Sequence, residues 1–291
     1  MSFKRALIHL LDRHVGRRLL GMIATHFVCR NTKVDMEVLY TKGLWTHRVG
    51  SNFFPDGPAF NYVYGDPDSW TSQIERYDSD ATEYWLQFYI PKPGDVIVDI
   101  GAGKGEDVYG FSKKVGPTGR VIAAEAHPGT FAILKNFCSL NRLTNVTPLQ
   151  LALMDKPGTV RIEESDLSWM ENAINTGNQS TGIEVKAETF DELCKQQGLQ
   201  EVNFLKMNIE GAERGALLGM QESIRRIREI CIACHDFRSD KGDGEQFRTR
   251  DFVEKFLVQH GFILLKRAAD PRDYVRDHVF ARRDASLAPL T

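Results

Sequence analysis

Residues 95–125 read DVIVDIGAGKGEDVYGFSKKVGPTGRVIAAE, and this stretch decides the fold class. It opens with a short apolar, β-branched run, Val96–Ile100, which is typical of a buried parallel strand. A predicted helix over 106–115 leads to a second predicted strand over 120–124, which ends at Glu125. The glycines between the first strand and the helix are Gly101, Gly103 and Gly105.

This strand–loop–helix–strand unit suits a ligand that carries a nucleoside. Glycines let the backbone approach closely, the helix start offers free N–H groups, and Glu125 can bind both ribose hydroxyls. A dinucleotide loop would read G-x-G-x-x-G, but here the third glycine comes one residue early. Asp99 precedes the first glycine by two positions and would favour a ligand with an amino group and a sulfonium. We therefore expect S-adenosylmethionine, the alternative being a glycine turn without a ligand.

Composition limits the class of protein. The chain has 291 residues, 42% of them hydrophobic and 26% charged, which is enough for a packed core. Its formal net charge of −2 argues against a dedicated nucleic-acid binder, so we expect no nucleic-acid partner. Five scattered cysteines do not form a disulfide framework, and we expect a cytoplasmic protein.

Downstream, predicted strands alternate with predicted helices as far as residue 282, which indicates an α/β fold with a doubly wound, mostly parallel sheet. A helix is predicted over 128–140, and the third strand is predicted over 146–153. The last two strands, over 261–266 and 275–282, have a short connection, so the final strand should be antiparallel. We interpret residues 236–250 as a charged loop.

The N-terminal part differs from the rest. Residues 2–28 fit one amphipathic helix, which would pack on the core, on a second subunit in a homodimer, or on an anionic membrane surface. The residues that can share the apolar face of this helix are Phe3, Leu7, Leu10, Leu11, Leu19, Met22 and Ile23. Its longest uncharged stretch, 19–29, is too short to span a bilayer, and no convincing signal-peptide cleavage site follows. Residues 31–90 are rich in aromatics, with a helix predicted over 77–90.

Five segments of the chain carry a common pattern. They are VIVDIGAGKGED (the 97–107 region), AAEAHPGTFAILKNFCSLN (123–141), LALMDKPGTVRI (151–162), ETFDELC (188–194) and VNFLKMNIEGAERGAL (202–217). Together they resemble the FkbM-like family of class I S-adenosylmethionine-dependent methyltransferases. The resemblance implies a seven-stranded, Rossmann-like sheet and methyl transfer, most often to a hydroxyl of a sugar or secondary metabolite. Two residues depart from the family pattern: Asn208 replaces an aspartate and Ala126 replaces a proline.

Residues at the carboxyl ends of the strands are the candidate donor-binding set, because doubly wound folds bind ligands at that edge. His127 can border the adenine, or it can be a loop histidine without a ligand. The predicted cofactor contacts are Asp99, Gly101, Ala102, Gly103, Gly105, Glu125, Ala126, Leu153 and Asn208.

Three residues are candidates for acceptor activation. His235 can take the proton of an acceptor hydroxyl, or it can be a histidine hydrogen-bonded at a strand end. Glu210 can hold the substrate, pair with Lys206 or cap the next helix, and Asp236 can orient His235 or bind substrate. We expect no metal, because hard cations prefer several carboxylates. The segment from Cys231 to His235 fits a haem-attachment pattern, which we reject because no export signal precedes it.

We expect three parts: an extension over 1–78 that forms a substrate or oligomer region, a methyltransferase domain over 79–283, and a tail over 284–291. The extension, the polar insertion 163–182 and the loop 236–250 would surround a small-molecule acceptor. Other hypotheses are methylation of nitrogen or carboxyl groups, a nicotinamide-dependent oxidoreductase, and a non-catalytic membrane-surface module.

Overall fold

The protein folds around three β-sheets. The structure, a computed structural model, describes residues 3–13, 16–30, 34–60, 71–162, 182–267, 270–284 and 286. The strands are β1 (Met36–Thr41), β2 (Leu44–Val49), β3 (Asn52–Pro55), β4 (Val96–Ile100), β5 (Arg120–Glu125), β6 (Val146–Gln150), β7 (Ala152–Leu153), β8 (Gly158–Ile162), β9 (Ile183–Glu188), β10 (Val202–Met207), β11 (Ile227–Ala233), β12 (Phe262–Leu265) and β13 (His278–Arg283).

Helices of the described residues lie in the N-terminal extension and on both faces of the largest sheet. They are α1 (Phe3–Leu11), α2 (Arg17–Cys29), α3 (Gln73–Asp80), α4 (Glu106–Val115), α5 (Pro128–Leu140), α6 (Phe190–Gln197), α7 (Glu213–Leu218), α8 (Asp236–Asp240), α9 (Arg250–Gln259) and α10 (Asp273–Arg276). A π-helical turn, Ala81–Trp85, follows α3 directly.

The largest sheet has seven strands in the order β12-β13-β11-β10-β4-β5-β6. Strand β10 runs parallel to β11 and β4, and β5 runs parallel to β4 and β6. Strand β13 is antiparallel to both of its neighbours, β11 and β12. The predicted doubly wound sheet with an antiparallel final strand is therefore confirmed.

Strand β4 shows why the sheet is buried on both faces. Val98 and Ile100 point into one apolar cluster with helices α6, α7 and α9. Ile97 points into the opposite cluster with helices α4 and α5. Successive side chains of a strand alternate between faces, so a continuous apolar run supplies both layers of core.

Cys231 and Cys234 of the haem-like pattern follow the same rule: each lies in a different cluster, and both are free thiols.

The N-terminal extension contains the antiparallel sheet β1-β2-β3. Gly21 allows α2 to approach β1, because a Cβ there would lie 2.6 Å from the carbonyl oxygen of Val38. The extension in turn packs on α5, where the Asn141 side chain exchanges hydrogen bonds with the backbone of Phe53 at 2.8 and 2.9 Å. Val28, Met36 and other extension residues belong to the same apolar cluster as α4 and α5.

The predicted single helix over 2–28 is wrong, because the structure has two helices, α1 and α2, with Gly16 between them. The buried face also differs from the predicted one: Leu20, Ala24 and Val28 pack inward. Leu19 and Met22, which we placed on the packing face, are at least half exposed. The prediction gave more weight to large apolar side chains such as Leu and Met. The small residues Gly21 and Ala24 face inward instead, because they permit a closer contact between α2 and the sheet of the extension.

Other boundaries shift for identifiable reasons. The predicted strand over 146–153 divides at Leu151, because β6 joins the large sheet while β7 pairs with β9 in a small sheet, β7-β9-β8. The predicted helix over 77–90 begins at Gln73 and ends with the π-helical turn at Trp85. The predicted loop over 236–250 contains α8 and a short 3₁₀ turn. The insertion predicted over 163–182 lies outside the described residues except for Gly182.

Candidate functional site

A cleft lies at the carboxyl ends of β4, β5 and β10, where a doubly wound sheet binds its ligands. Its walls also include Glu106 and Asp107 at the start of α4. It contains most of the residues that we predicted from the sequence. These are Gly101, Ala102, Gly103, Glu125, Ala126, Leu153, Asn208 and Glu210.

The glycine loop forms the floor of the cleft. Gly101 has a φ of 77°, and a Cβ there would lie 1.9 Å from the carbonyl oxygen of Asn208. Only glycine therefore lets the loops after β4 and β10 touch. Gly105 has another role, because a Cβ on it would lie 2.9 Å from the Phe137 ring of α5. Gly105 thus packs the loop against a helix, and our prediction that it contacts the cofactor stays a prediction.

Glu125 ends β5 with its carboxylate held by the backbone. Its Oε2 accepts a hydrogen bond from the Gly103 N–H at 3.0 Å, and its Oε1 accepts one from the His127 N–H at 2.9 Å. Each oxygen keeps a second acceptor position for a ligand hydroxyl. Burial raises the pKa of Glu125 to about 7, against the lowering effect of these two hydrogen bonds.

Asp99 and Lys206 form an ion pair beneath the glycine loop. Both are buried, and Nζ of Lys206 lies 2.8 Å from Oδ1 of Asp99. The same Nζ donates a hydrogen bond to the carbonyl oxygen of Gly101 at 2.7 Å. Burial raises the pKa of Asp99 to about 6, although the charge of Lys206 opposes the shift. Asp99 does not line the cleft, and its ion pair with Lys206 supports the loop. Its predicted contact with the cofactor stays a prediction.

Lys206 was missed as a site residue because sequence spacing suggested a pair with Glu210. The sheet register settles its partner: Lys206 lies directly opposite Asp99 on the neighbouring strand. Its Nζ also lies 3.6 Å from the carboxylate of Asp107 and 4.9 Å from the Trp85 ring. Burial alone would lower the pKa of Lys206, but the carboxylates around it raise the pKa.

Asn208 places an unused acceptor in the cleft. Its backbone N–H donates to the carbonyl oxygen of Ile100 at 2.9 Å, which fixes the residue beside the glycine loop. Its Oδ1 is buried and has no hydrogen-bond partner within the described parts of the chain. A buried acceptor without a partner is costly, so a ligand donor, such as an ammonium group, fits here.

His235 is held between two carboxylates. Its Nε2 lies 3.1 Å from Oε1 of Glu210, and its Nδ1 lies 3.1 Å from Oε1 of Glu213. Burial would lower the pKa of His235, but the hydrogen bonds to both glutamates outweigh it and raise the pKa to about 10. An imidazolium with both N–H groups engaged cannot accept a proton at neutral pH. This arrangement disfavours the base role predicted for His235, which stays a prediction.

Glu210 lies at the end of the cleft in a left-handed backbone conformation, with a φ of 50°. Its second oxygen accepts a hydrogen bond from Arg238 at 2.8 Å. Burial would raise the pKa of Glu210, but the hydrogen bonds from His235 and Arg238 lower it. Glu210 is thus held as an anion. Glu213, the first residue of α7, is fully buried behind it.

Asp236 has a structural role in the fold. Its Oδ2 accepts hydrogen bonds from the backbone N–H groups of Thr249 and Arg250, both at 3.1 Å, at the start of α9. It does not line the cleft, and within the described residues no hydrogen bond joins its carboxylate to the His235 ring, so these contacts do not support the predicted catalytic role. His127 lines the cleft and also caps α5, because its Nδ1 accepts from the Thr130 N–H at 3.3 Å.

Glu106 is the functional candidate that sequence reasoning missed. It lines the cleft, and no hydrogen bond or ion pair reaches its carboxylate from the described residues. Burial, followed by the charge of Asp107, raises the pKa of Glu106 to about 7. An acid in the first turn of a helix usually serves the helix dipole, which is why the sequence alone gave it no special weight.

The strand order, the antiparallel β13, and the glycine loop beside Glu125 define a class I methyltransferase fold. The chain belongs to the family described as the methyltransferase FkbM domain, which matches residues 99–264.

Two relatives carry more specific names. The chain is 22% identical to the 2-O-methyltransferase NoeI of Sinorhizobium fredii, an alignment that covers 48% of this chain and 63% of that protein. It is 26% identical to the hexuronic acid methyltransferase AglP of Haloferax volcanii, over 48% of this chain and 56% of that protein. The chain therefore spans less than two thirds of each relative.

Two solved structures that resemble this chain have lower sequence identity to it than these two relatives do. A methyltransferase FkbM from Methylobacillus flagellatus superposes with a TM-score of 0.44 at 14% identity, covering 74% of this chain and 58% of that one. An S-adenosylmethionine-dependent O-methyltransferase from Thermotoga maritima superposes with a TM-score of 0.42 at 14% identity, covering 73% and 71%.

Proposed function

We propose that this protein transfers a methyl group from S-adenosylmethionine to an oxygen of a small acceptor, with a sugar hydroxyl as the first choice. One observation carries the proposal: a chain of this family has Glu125, the glycine loop and the free acceptor of Asn208 along a single cleft. The relatives' names, a 2-O-methyltransferase and a hexuronic acid methyltransferase, support a sugar as the acceptor.

The residues of the cleft fit the donor from end to end. Glu125 has two acceptor positions left for the ribose hydroxyls, while Leu153 and Ala126 offer apolar surface beside it. Asn208 offers an unpartnered oxygen to the donor's amino group. Lys206 neutralises Asp99 and holds the Gly101 carbonyl, so the loop is already formed before the ligand binds.

When bound, S-adenosylmethionine supplies a methyl group that its sulfonium already activates. The chain must then orient the acceptor oxygen, exclude water and receive the hydroxyl proton. Glu210 is held as an anion by His235 and Arg238, which suits it to fix an acceptor hydroxyl rather than to take a proton.

Glu106 is the better base in this scheme. It lines the same cleft, has no polar partner in the described parts of the chain, and its pKa of about 7 is matched to neutral conditions. Proton transfer from the acceptor oxygen to the Glu106 carboxylate would then accompany methyl transfer.

Binding and turnover test the proposed function separately. Calorimetric titration should show binding of S-adenosylhomocysteine and none of NADH. Turnover with methyl-labelled S-adenosylmethionine should then label hexuronic acids or their glycosides at oxygen, as read by mass spectrometry. Binding of NADH in place of S-adenosylhomocysteine would contradict the proposal, as would label on nitrogen alone.

We predict that Glu106→Gln lowers kcat about 100-fold or more at saturating donor, because the acceptor proton loses its base. The kcat of the unmodified protein should rise with pH through about 7, and this rise should disappear in the variant. Glu210→Gln is the matched control: it should raise the acceptor KM while the pH profile remains. An unchanged pH profile in Glu106→Gln would exclude Glu106 as the base.

A further inference from the structure

The two N-terminal helices expose apolar side chains to solvent. Between 37% and 62% of the surface of each of these residues is accessible. They are Leu7, Leu10, Leu19, Met22, Ile23 and Phe27. Six large apolar side chains within 21 consecutive positions form a patch, which we call the N-terminal apolar patch. Patches of this kind mark interaction sites rather than ordinary surface.

Helix α2 is apolar on two opposite sides. Its inner side, with Leu20, Ala24 and Val28, packs on the sheet of the extension. Its outer side carries Leu19, Met22 and Ile23, at the i, i+3 and i+4 spacing of a second helical stripe. The apolar stripe of an amphipathic helix normally packs against another surface, so the outer stripe requires a partner that the described residues do not supply.

Charge identifies the kind of partner. Residues 1–30 contain six Lys and Arg but only one Asp, whereas the remaining chain has 31 Lys and Arg against 38 Asp and Glu. The exposed Arg13, Arg18 and Arg30 border the N-terminal apolar patch. Arg30 also lies over the Phe27 ring, 5.0 Å from its centroid. An apolar stripe bordered by cations is the pattern of a helix that lies in an anionic lipid interface.

A second copy of this chain fits the patch less well. Pairing two patches face to face would bring two sets of the same cations together, and like charges across an interface disfavour association. A spanning arrangement is also unsuited, since no helix in the described ranges combines the length and apolarity needed to cross a bilayer.

We propose that α1 and α2 dock on an anionic phospholipid surface, with Leu19, Met22, Ile23 and Phe27 among the acyl chains and the arginines at the headgroups. This surface is separate from the methyl-donor cleft and does not depend on the proposed function. Docking leaves the inner side of α2 unchanged, because Leu20, Ala24 and Val28 remain packed on the extension.

Vesicle co-sedimentation with the full chain tests this proposal. The protein should pellet with equimolar phosphatidylglycerol–phosphatidylcholine vesicles, remain in solution with phosphatidylcholine alone, and be released by high salt. The double variant Met22→Glu/Ile23→Glu should bind at least tenfold more weakly. Val258→Glu is the matched control, because Val258 is 55% exposed on α9 of the other part of the chain, and this variant should bind as the unmodified protein does.

The variants must first be shown to be folded, by unchanged thermal unfolding and unchanged S-adenosylhomocysteine titration. Equal vesicle binding by the double variant and the unmodified protein would overturn the proposal. So would a failure of the unmodified protein to pellet with anionic vesicles. Light scattering gives the third contrary outcome. If the unmodified protein is a dimer that does not bind vesicles, and Met22→Glu/Ile23→Glu dissociates this dimer, the patch binds a second copy of the chain and not a lipid surface.

Discussion

At the scale of single residues, His235 shows how burial and charge combine. The side chain is buried, and a neutral imidazole would suit that environment better than a cation. The two carboxylates of Glu210 and Glu213, each 3.1 Å from a ring nitrogen, reverse the preference. The result is a buried cation between two anions that fixes the loop after β10 against the end of β11. Breaking such a pair on one side is costly.

We predict that His235→Gln destabilises the protein by about 3 kcal/mol at pH 6, because two buried carboxylates lose their cation. The folded-state pKa is raised from 6.5 to about 10, so the stabilisation is fully present below pH 6.5. It is then lost as pH rises through about 10. Urea unfolding of both proteins at pH 6, 8 and 10 should show the difference shrinking. The exposed His26→Gln is the control, and a pH-independent difference would contradict the buried imidazolium.

We predict that Glu125 makes donor binding pH-dependent. Its pKa is raised to about 7, and the ionised carboxylate is the form that accepts ribose hydroxyls. The affinity for S-adenosylhomocysteine should therefore fall as pH drops below about 7. Glu125→Gln should bind about tenfold more weakly and lose this pH dependence. Glu106→Gln is the control, and its affinity for S-adenosylhomocysteine in calorimetric titrations should keep the same pH dependence. If the pH dependence disappears in Glu106→Gln and persists in Glu125→Gln, the titrating group is Glu106.

At the scale of elements, the site depends on two loops that touch. The turn after β4 and the turn after β10 come from strands that are neighbours in the sheet although they are over 100 residues apart in sequence. Gly101 permits the contact, and Asn208 supplies the opposing backbone. Side-chain pairing of Lys206 with Asp99 then holds both turns from below.

Two glycine variants distinguish the cost of backbone strain from the cost of disturbing the contact between the two loops. Gly101→Ala should destabilise by about 3 kcal/mol or more and weaken donor binding, because it adds a clash to the strain of a positive φ. Gly43→Ala, at a φ of 85° with no atom within 4 Å of the added Cβ, should cost only about 1 kcal/mol from strain. Equal losses in urea unfolding would show that the contact with Asn208 is unimportant.

At the scale of the whole molecule, the extension and the methyltransferase part share an apolar core. Val28, Met36 and Phe54 lie in the same cluster as Val108 and Phe111 of α4. The boundary near residue 78 that we predicted from the sequence remains a prediction. Deleting the extension would uncover part of this cluster, so point variants probe its role in acceptor binding better than truncation does.

We predict that the chain unfolds on heating in one cooperative transition, because the shared core couples both parts. Calorimetry and tryptophan fluorescence, which includes the buried Trp45 of the extension, should give the same midpoint. Phe54→Ala should destabilise by about 3 kcal/mol without splitting the transition. The exposed Phe27→Ala should leave the midpoint unchanged, whereas an early separate transition in the unmodified protein would show that the extension unfolds independently.

Local signals in the sequence predicted much of this fold. Helix α5 was predicted over 128–140 and has those bounds, because Pro128 starts it and its apolar residues recur at helical spacing. The segment 95–125 predicted two strands, a glycine loop and a helix in the right places. Periodicity, glycine and proline act over a few residues, so they can be read without knowing the tertiary structure.

Only the tertiary structure decided which charges meet. Sequence spacing suggested that Lys206 pairs with Glu210 and that His235 is a base. Strand register instead places Lys206 against Asp99, and burial between two glutamates makes His235 a fixed cation. The sequence by itself thus determined the elements between β4 and α5 and most residues of the candidate donor cleft. Charge pairing across the sheet depends on register and desolvation, which arise only when distant segments come together.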